Sequence, residues 1–199
     1  MENNSPTHVL FGQMKFDWPT KQRICVGIAN GLAFLHEEST LKIVHGDIKT
    51  TNLLLNEDLN SKISDFSLAK LDEEENTHIS TRIAGTMIHD TGYALRGYLT
   101  YKADVYSFGV VAQEIVAGKS NMKYQPDENL VCLLDWAFNL PQKGNLVELL
   151  ALLCTDPSPD FRPTMSAVVS MLEGQQVVPE LVMDPSNYCN RSRFKALKN

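Results

Sequence analysis

Apolar residues recur at helical spacing at Ile24, Ile28, Leu32 and Leu35, just behind Asp17 and Pro19. This pattern predicts a helix over 18–37, with Asp17 as its N-cap and Pro19 in the first turn, where a missing N–H does no harm. Gly27 and Gly31 lie inside it, each costing about 1 kcal/mol against alanine, which predicts close packing against another helix. The rhythm then shortens. Leu53-Leu54-Leu55 and Lys62-Ile63-Ser64 flank a polar turn at 56–60 rich in Asn and Asp, the pattern of a small hairpin. The strongest helical stretch is 100–117. There Val105, Phe108, Val110, Val111, Ile115 and Val116 cover most of the circumference and Gly118 ends the run, so the helix is predicted to be buried. A polar stretch at 119–129 precedes a short predicted helix at 130–140 with Trp136 inside. The run 146–154 is almost uninterruptedly apolar, and Thr164 caps a last helix over 165–173 closed by Gly174. Polar ends with Pro and Gly, 1–15 and 175–199, read as a flexible lead-in and a flexible, solvated basic tail.

With 199 residues and 43% hydrophobic content, the chain can bury one core rather than two. A net charge of −6 and a pI near 5.3 argue against nucleic acid as a partner, because phosphate neutralisation needs a basic face. Cys25, Cys132, Cys154 and Cys189 show no Cys-x-x-Cys spacing, so they are read as reduced, mostly buried residues of a cytosolic protein. His8, His36, His78 and His89 show no ligand spacing either. No uninterrupted apolar run approaches about 18 residues, so no membrane span is expected, and residues 1–6 are not expected to start a signal peptide.

The chemistry concentrates between His45 and Ser67. The order is His45-Gly46-Asp47-Ile48-Lys49-Thr50-Thr51-Asn52, then the hairpin, then Asp65-Phe66-Ser67. A hairpin at this point brings Asp47, Asn52 and Asp65 into one neighbourhood. Two carboxylates and an amide can hold a divalent cation through hard oxygens, with one acid left to accept a proton.

These residues resemble the catalytic and magnesium loops of protein kinases, His-Arg-Asp, four residues, Asn, then Asp-Phe-Gly, with matching spacing. Lys49, two after the aspartate, is the form typical of serine/threonine kinases. The text from Ile43-Val44-His45 through Ala84-Gly85-Thr86 is similar to plant leucine-rich-repeat receptor-like kinases, and the resemblance covers roughly 16–174. It implies a mainly α fold: a kinase-like C-lobe, a helical bundle with a small β-hairpin at the catalytic and magnesium loops. It also implies ATP and magnesium as cofactors, a protein substrate or partner kinase, and a place on the cytoplasmic side of the plasma membrane. Under it Asp47 is the base orienting a substrate hydroxyl and Lys49 stabilises the transferring phosphoryl group. Asn52 and Asp65 bind magnesium, and Leu54 floors the adenine pocket. His45, Phe66, Asp104 and Arg162 become structural supports, His45 with no metal or proton-transfer role. Asp104 is implied to accept hydrogen bonds from the backbone near His45; its alternative is an exposed first-turn acid favoured by the helix dipole. Thr77, Ser80, Thr81 and Thr86 fall in the activation segment as candidate phosphate acceptors, beside the acidic run 72–75, which is read as a solvated loop.

Departures from the family pattern carry expectations of their own. Before His45 there is no Gly-x-Gly-x-x-Gly, no strand with Val-Ala-x-Lys and no helix with a partner glutamate, so the chain resembles a large lobe alone, with the N-lobe absent. Gly46 replaces the arginine that would receive an activating phosphate. Ser67 replaces a glycine, which predicts a strained serine at about 1–2 kcal/mol or a displaced loop. The Ala-Pro-Glu motif is missing after Thr86, with Gly92 at the glutamate position. Arg162, of Arg162-Pro163, is therefore expected to turn to solvent or recruit an acid such as Asp90. A deletion is expected around 149–150. The expectation is a serine/threonine kinase by family, inactive as this chain. A catalytically dead binding module or an incomplete gene product stands as the alternative, the two separated by whether the chain folds cooperatively.

Overall fold

The structure, a computed structural model, describes residues 16–71, 100–118 and 146–179. The predicted helix at 130–140 with Trp136, the acidic run 72–75, Thr77, Ser80, Thr81, Thr86, Asp90, Gly92, the lead-in and the tail beyond 179 lie outside the described residues.

Helix α1 spans Trp18–Ala33, and the Asp17 carboxylate accepts the Thr20 N–H at 3.1 Å, as the capping pattern required. Its final turn widens into a π-helical turn, Phe34–Glu38, where the Ser39 N–H reaches back five residues to the Phe34 carbonyl at 2.8 Å. Strands β1 (Ile43–Val44), β2 (Leu53–Leu55), β3 (Ser61–Ile63) and β4 (Lys70–Leu71) form two antiparallel pairs, β2 with β3 and β1 with β4. The β2–β3 hairpin sits within a residue of its predicted place, with Leu53 opposite Ile63. The β1–β4 pair was not foreseen. It joins Val44 to Lys70 and so closes the segment that holds the two functional loops.

Helix α2 spans Tyr101–Ala117 and stops at Gly118, whose φ of 64° only glycine adopts without strain. Helices α3 (Leu146–Cys154) and α4 (Met165–Leu172) complete a mainly α arrangement, and the Thr164 hydroxyl caps α4 at the Ala167 N–H. A second cap comes from far away: the Glu37 carboxylate accepts the Ser166 N–H at 3.0 Å and the Ser166 hydroxyl. It thereby satisfies a helix-start donor that has no partner within α4.

Ile24, Ile28 and Leu32 of α1, Leu53 and Leu55 of β2, Phe108, Val111 and Ile115 of α2, Leu150 of α3, and Met165, Val168 and Leu172 of α4 form one continuous core. Gly27 and Gly31 do mark a close approach, but to β3 rather than to another helix. A Cβ on Gly27 would lie 3.2 Å from Ser61, and one on Gly31 would lie 3.0 Å from Ile63. The helix-to-helix contact of this kind belongs to Gly109, where a Cβ would lie 2.8 Å from the Ala151 carbonyl oxygen of α3. No helix among the described residues is long and apolar enough to cross a membrane.

Candidate functional site

Asp104, in the first turn of α2 and 1% exposed, fastens the loop that follows β1. Its Oδ2 accepts the His45 N–H at 2.7 Å and its Oδ1 accepts the Gly46 N–H at 2.8 Å. Burial removes the exposed-acid alternative, since a buried carboxylate keeps its charge only where donors surround it. A third donor went unread in the sequence. His36, on the π-turn, donates from Nε2 to Asp104 Oδ2 at 2.9 Å. Metal-ligand spacing was the wrong test for this histidine, because its partner is a helix 68 residues away in the chain.

His45 joins the two loops. Its Nδ1 accepts the Asp47 N–H at 3.2 Å, which leaves Nε2 to donate to the Ser64 carbonyl at 3.1 Å. The Phe66 ring meets the imidazole edge-on, with centroids 4.8 Å apart, although Phe66 remains 47% exposed. Gly46 adopts φ 77°, a turn that an arginine at this position would strain.

The Asp47 carboxylate is held on one oxygen. Lys49 Nζ donates to Oδ2 at 2.7 Å and Asn52 Nδ2 donates to the same atom at 2.9 Å, while Nδ2 also reaches the Asp47 carbonyl at 2.9 Å. Among the described residues Oδ1 accepts no hydrogen bond, which leaves it able to accept a proton. Because its amide nitrogen is spent on Asp47, Asn52 presents Oδ1 as an acceptor. The Asn52 carbonyl in turn accepts Ser64 N–H and Ser64 Oγ, each at 2.8 Å, which sets the Asp65 loop beside it. Leu54 occupies the half-buried face of β2, between Leu53 and Leu55, which point into the core.

Asp65 is exposed and takes φ 63°, ψ 71°, a left-handed conformation that aspartate tolerates better than most residues. Its Oδ1 accepts the Ser67 hydroxyl at 2.7 Å and approaches the Ser67 N–H at 3.4 Å. The hydroxyl first, and then the N–H, hold the Asp65 carboxyl below the usual range. The strained-serine half of the expectation for Ser67 is therefore corrected. Ser67 lies inside a 3-10 turn, Phe66–Leu68, without a positive φ, and the left-handed residue is Asp65 one step before that turn.

Asp65 and Asn52 supply hard oxygens of the kind magnesium takes, one or two protein ligands with water and phosphate completing the octahedron. Among the described residues no three His, Cys, Asp or Glu side chains converge as a fuller cage would require.

Arg162 corrects half of a second expectation. It is 1% exposed, donates from Nε to the Asp156 carbonyl at 2.7 Å and from Nη1 to the Lys102 carbonyl at 3.0 Å, and lies 4.9 Å from the Tyr106 ring centroid. Buried against backbone carbonyls and an aromatic face, it does not turn to solvent, while Asp90, the acid named for it, lies outside the described residues.

A family profile described as protein tyrosine and serine/threonine kinase matches residues 3–172. The chain is 56% and 57% identical, over its whole length, to two probable LRR receptor-like serine/threonine-protein kinases of Arabidopsis thaliana. It spans 22% of the length of each. It is 54% identical over 89% of its length to a probable leucine-rich repeat receptor-like serine/threonine-protein kinase of the same plant, spanning 20% of it. The first of these alignments runs to 227 positions against 199 residues here, so that relative carries residues within the span that this chain lacks.

Proposed function

The chain belongs to the protein tyrosine and serine/threonine kinase family, and from that premise we propose that residues 16–174 are the large lobe of a serine/threonine phosphotransferase site. Asp47 orients the hydroxyl of a protein substrate and accepts its proton, and Lys49 neutralises charge on the transferring phosphoryl group. Asn52 and Asp65 hold magnesium, and Leu54 lies under the adenine of ATP. The observation that carries this reading is the convergence of Lys49 Nζ and Asn52 Nδ2 on Asp47 Oδ2, which aims the carboxylate and leaves Oδ1 open. The metal supplies charge neutralisation at the phosphates when bound; the residues named here position and screen. Setting the chain on the cytoplasmic side of the plasma membrane is part of the same proposal and rests on the receptor-like relatives.

Positioning provides nearly all of phosphoryl-transfer catalysis. The 199 residues include no Gly-x-Gly-x-x-Gly and no Val-Ala-x-Lys to close over the phosphates. Taken alone, the chain is therefore proposed to transfer phosphate at a negligible rate. A catalytically dead binding module is the second reading, favoured by the Ser67 hydroxyl sitting on Asp65. The test is radiolabel transfer from magnesium–ATP to a generic protein substrate, with Asp47→Asn as control. Transfer clearly above that control would overturn the inactive reading and make the isolated chain an enzyme. Transfer at the control level, recovered when a strand-lysine lobe is fused ahead of residue 16, would support the large-lobe reading against the dead module.

A further inference from the structure

We propose that Ser67 competes with the divalent cation for Asp65, tuning down the affinity of the Asp65–Asn52 pair; this rests on the cation-holding role proposed above for those two residues. The Ser67 hydroxyl donates to Asp65 Oδ1 at 2.7 Å and the Ser67 N–H approaches the same atom at 3.4 Å. Together they fold the carboxylate back on its own chain as an Asx-type turn. A glycine at 67 can make the second contact but never the first.

The geometry makes the competition direct. An ionised carboxylate is purely an acceptor, and both a hydroxyl proton and a cation seek its lone pairs. The Oδ1 edge is engaged by Ser67, so a cation must displace the hydroxyl or accept a poorer, one-oxygen contact through Oδ2. The other ligand faces a far weaker contest, a single long contact from the Thr51 hydroxyl to Asn52 Oδ1 at 3.5 Å. Asn52 has its nitrogen committed to Asp47 and its oxygen acceptor presented, and its backbone carbonyl is pinned by Ser64. The pair is thus half ready and half blocked, and the block is one hydroxyl group. Asp65 and Ser67 are both exposed, so exchanging that hydroxyl bond needs no core rearrangement.

The test reads cation binding rather than catalysis. The full 199-residue chain is titrated with manganese(II), and free aquo-manganese is followed by electron paramagnetic resonance without nucleotide. Ser67→Ala, which removes the hydroxyl and keeps a Cβ, is expected to bind about two- to tenfold more tightly than wild type, the range of one net hydrogen bond. Ser67→Thr, which keeps a hydroxyl, should stay near wild type, and Asp65→Asn should lose the site. Unchanged or weaker binding by Ser67→Ala overturns the competition while leaving the cation site intact, and weaker binding would make the hydroxyl a ligand. If neither wild type nor Ser67→Ala binds manganese, or if Asp65→Asn binds as wild type does, the cation reading itself falls and the competition with it. Ser67→Gly serves as a second variant without a hydroxyl, so that a folding defect in one cannot decide the outcome.

Discussion

Asp104 accepts the His45 backbone N–H at 2.7 Å across 59 residues of sequence, and that bond helps tie the buried helix α2 to the loop carrying Asp47. With the Gly46 N–H and His36 Nε2 on the same carboxylate, three donors depend on one side chain. Removing it orphans them in the interior, at about 1–3 kcal/mol for each donor that water cannot reach. Asp104→Ala is therefore expected to lower the urea midpoint sharply at nearly unchanged slope. Asp104→Asn, which must turn an amide N–H toward at least one of those donors, should recover only part of the loss. A midpoint for Asp104→Ala within error of wild type would show that the loop is held by other contacts.

Gly109 tests the packing of α2 on α3. An added methyl would stand 2.7 Å from Thr155 Cγ2, 2.8 Å from the Ala151 carbonyl oxygen and 2.9 Å from Cys154 Cβ. Two helix backbones must separate to admit it, so Gly109→Ala is expected to cost about 1–3 kcal/mol despite alanine's better helix propensity. Ala112→Gly, three residues along the same helix, separates propensity from clash. A raised melting temperature for Gly109→Ala would show that α2 and α3 are not in close contact at this point in solution.

The two thiols buried among these helices give a pH dependence with a definite sign. Burial pushes Cys25 and Cys154 up to about 12, far above a free thiol near 8.5. Below about pH 8.5 both folded and unfolded thiols hold their protons and stability is unaffected. Above it only the unfolded chain ionises, so stability falls as pH rises toward 12, by at most about 1.4 kcal/mol per pH unit per thiol. Chemical denaturation at pH 8 and pH 10 should show this slope, and a Cys25→Ala, Cys154→Ala double variant should flatten it. An equal slope in that variant would assign the alkaline loss to other groups.

Helix α1, helix α2 and the β2–β3 hairpin were legible because each announces itself locally, through Asp17 and Pro19, through the all-round apolar run ended by Gly118, and through the turn at 56–60. The Asp47, Lys49, Asn52 and Asp65 spacing was legible for a related reason, since a loop and a hairpin of fixed length set where those residues fall. What escaped is long-range. The β1–β4 ladder is two residues a side, too short for any alternation to register. His36 carries no motif, and its importance comes from Asp104. The carbonyls of 102 and 156 around Arg162 also escaped, because no side-chain pattern marks a backbone acceptor. At Ser67 the substitution was noticed but the left-handed conformation was placed two residues too late, since it falls on Asp65.

Arg162 supplies the most discriminating stability test. Its guanidinium uses a planar fork, with Nε on the Asp156 carbonyl, Nη1 on the Lys102 carbonyl and the π-face of Tyr106 at 4.9 Å from Cζ. A lysine has the charge but not the fork, and an ammonium is harder to desolvate than a guanidinium. Arg162→Lys is accordingly expected to destabilise the protein by about 2–4 kcal/mol, close to the cost of breaking a buried charged network. Tyr106→Leu alone should cost less. In the double variant the two losses should fall short of their sum by about 0.5–2 kcal/mol, the signature of a shared cation–π contact. The nearby Lys102 ammonium, whose pKa is lowered by burial first and by the Arg162 charge second, provides an internal check. Replacing Arg162 with Met should relieve part of that depression, and the Lys102 titration, followed by carbon NMR of labelled lysine, should move upward. Strict additivity of the Arg162 and Tyr106 losses together with an unmoved Lys102 would show that the guanidinium is coupled to neither the Tyr106 face nor the Lys102 charge.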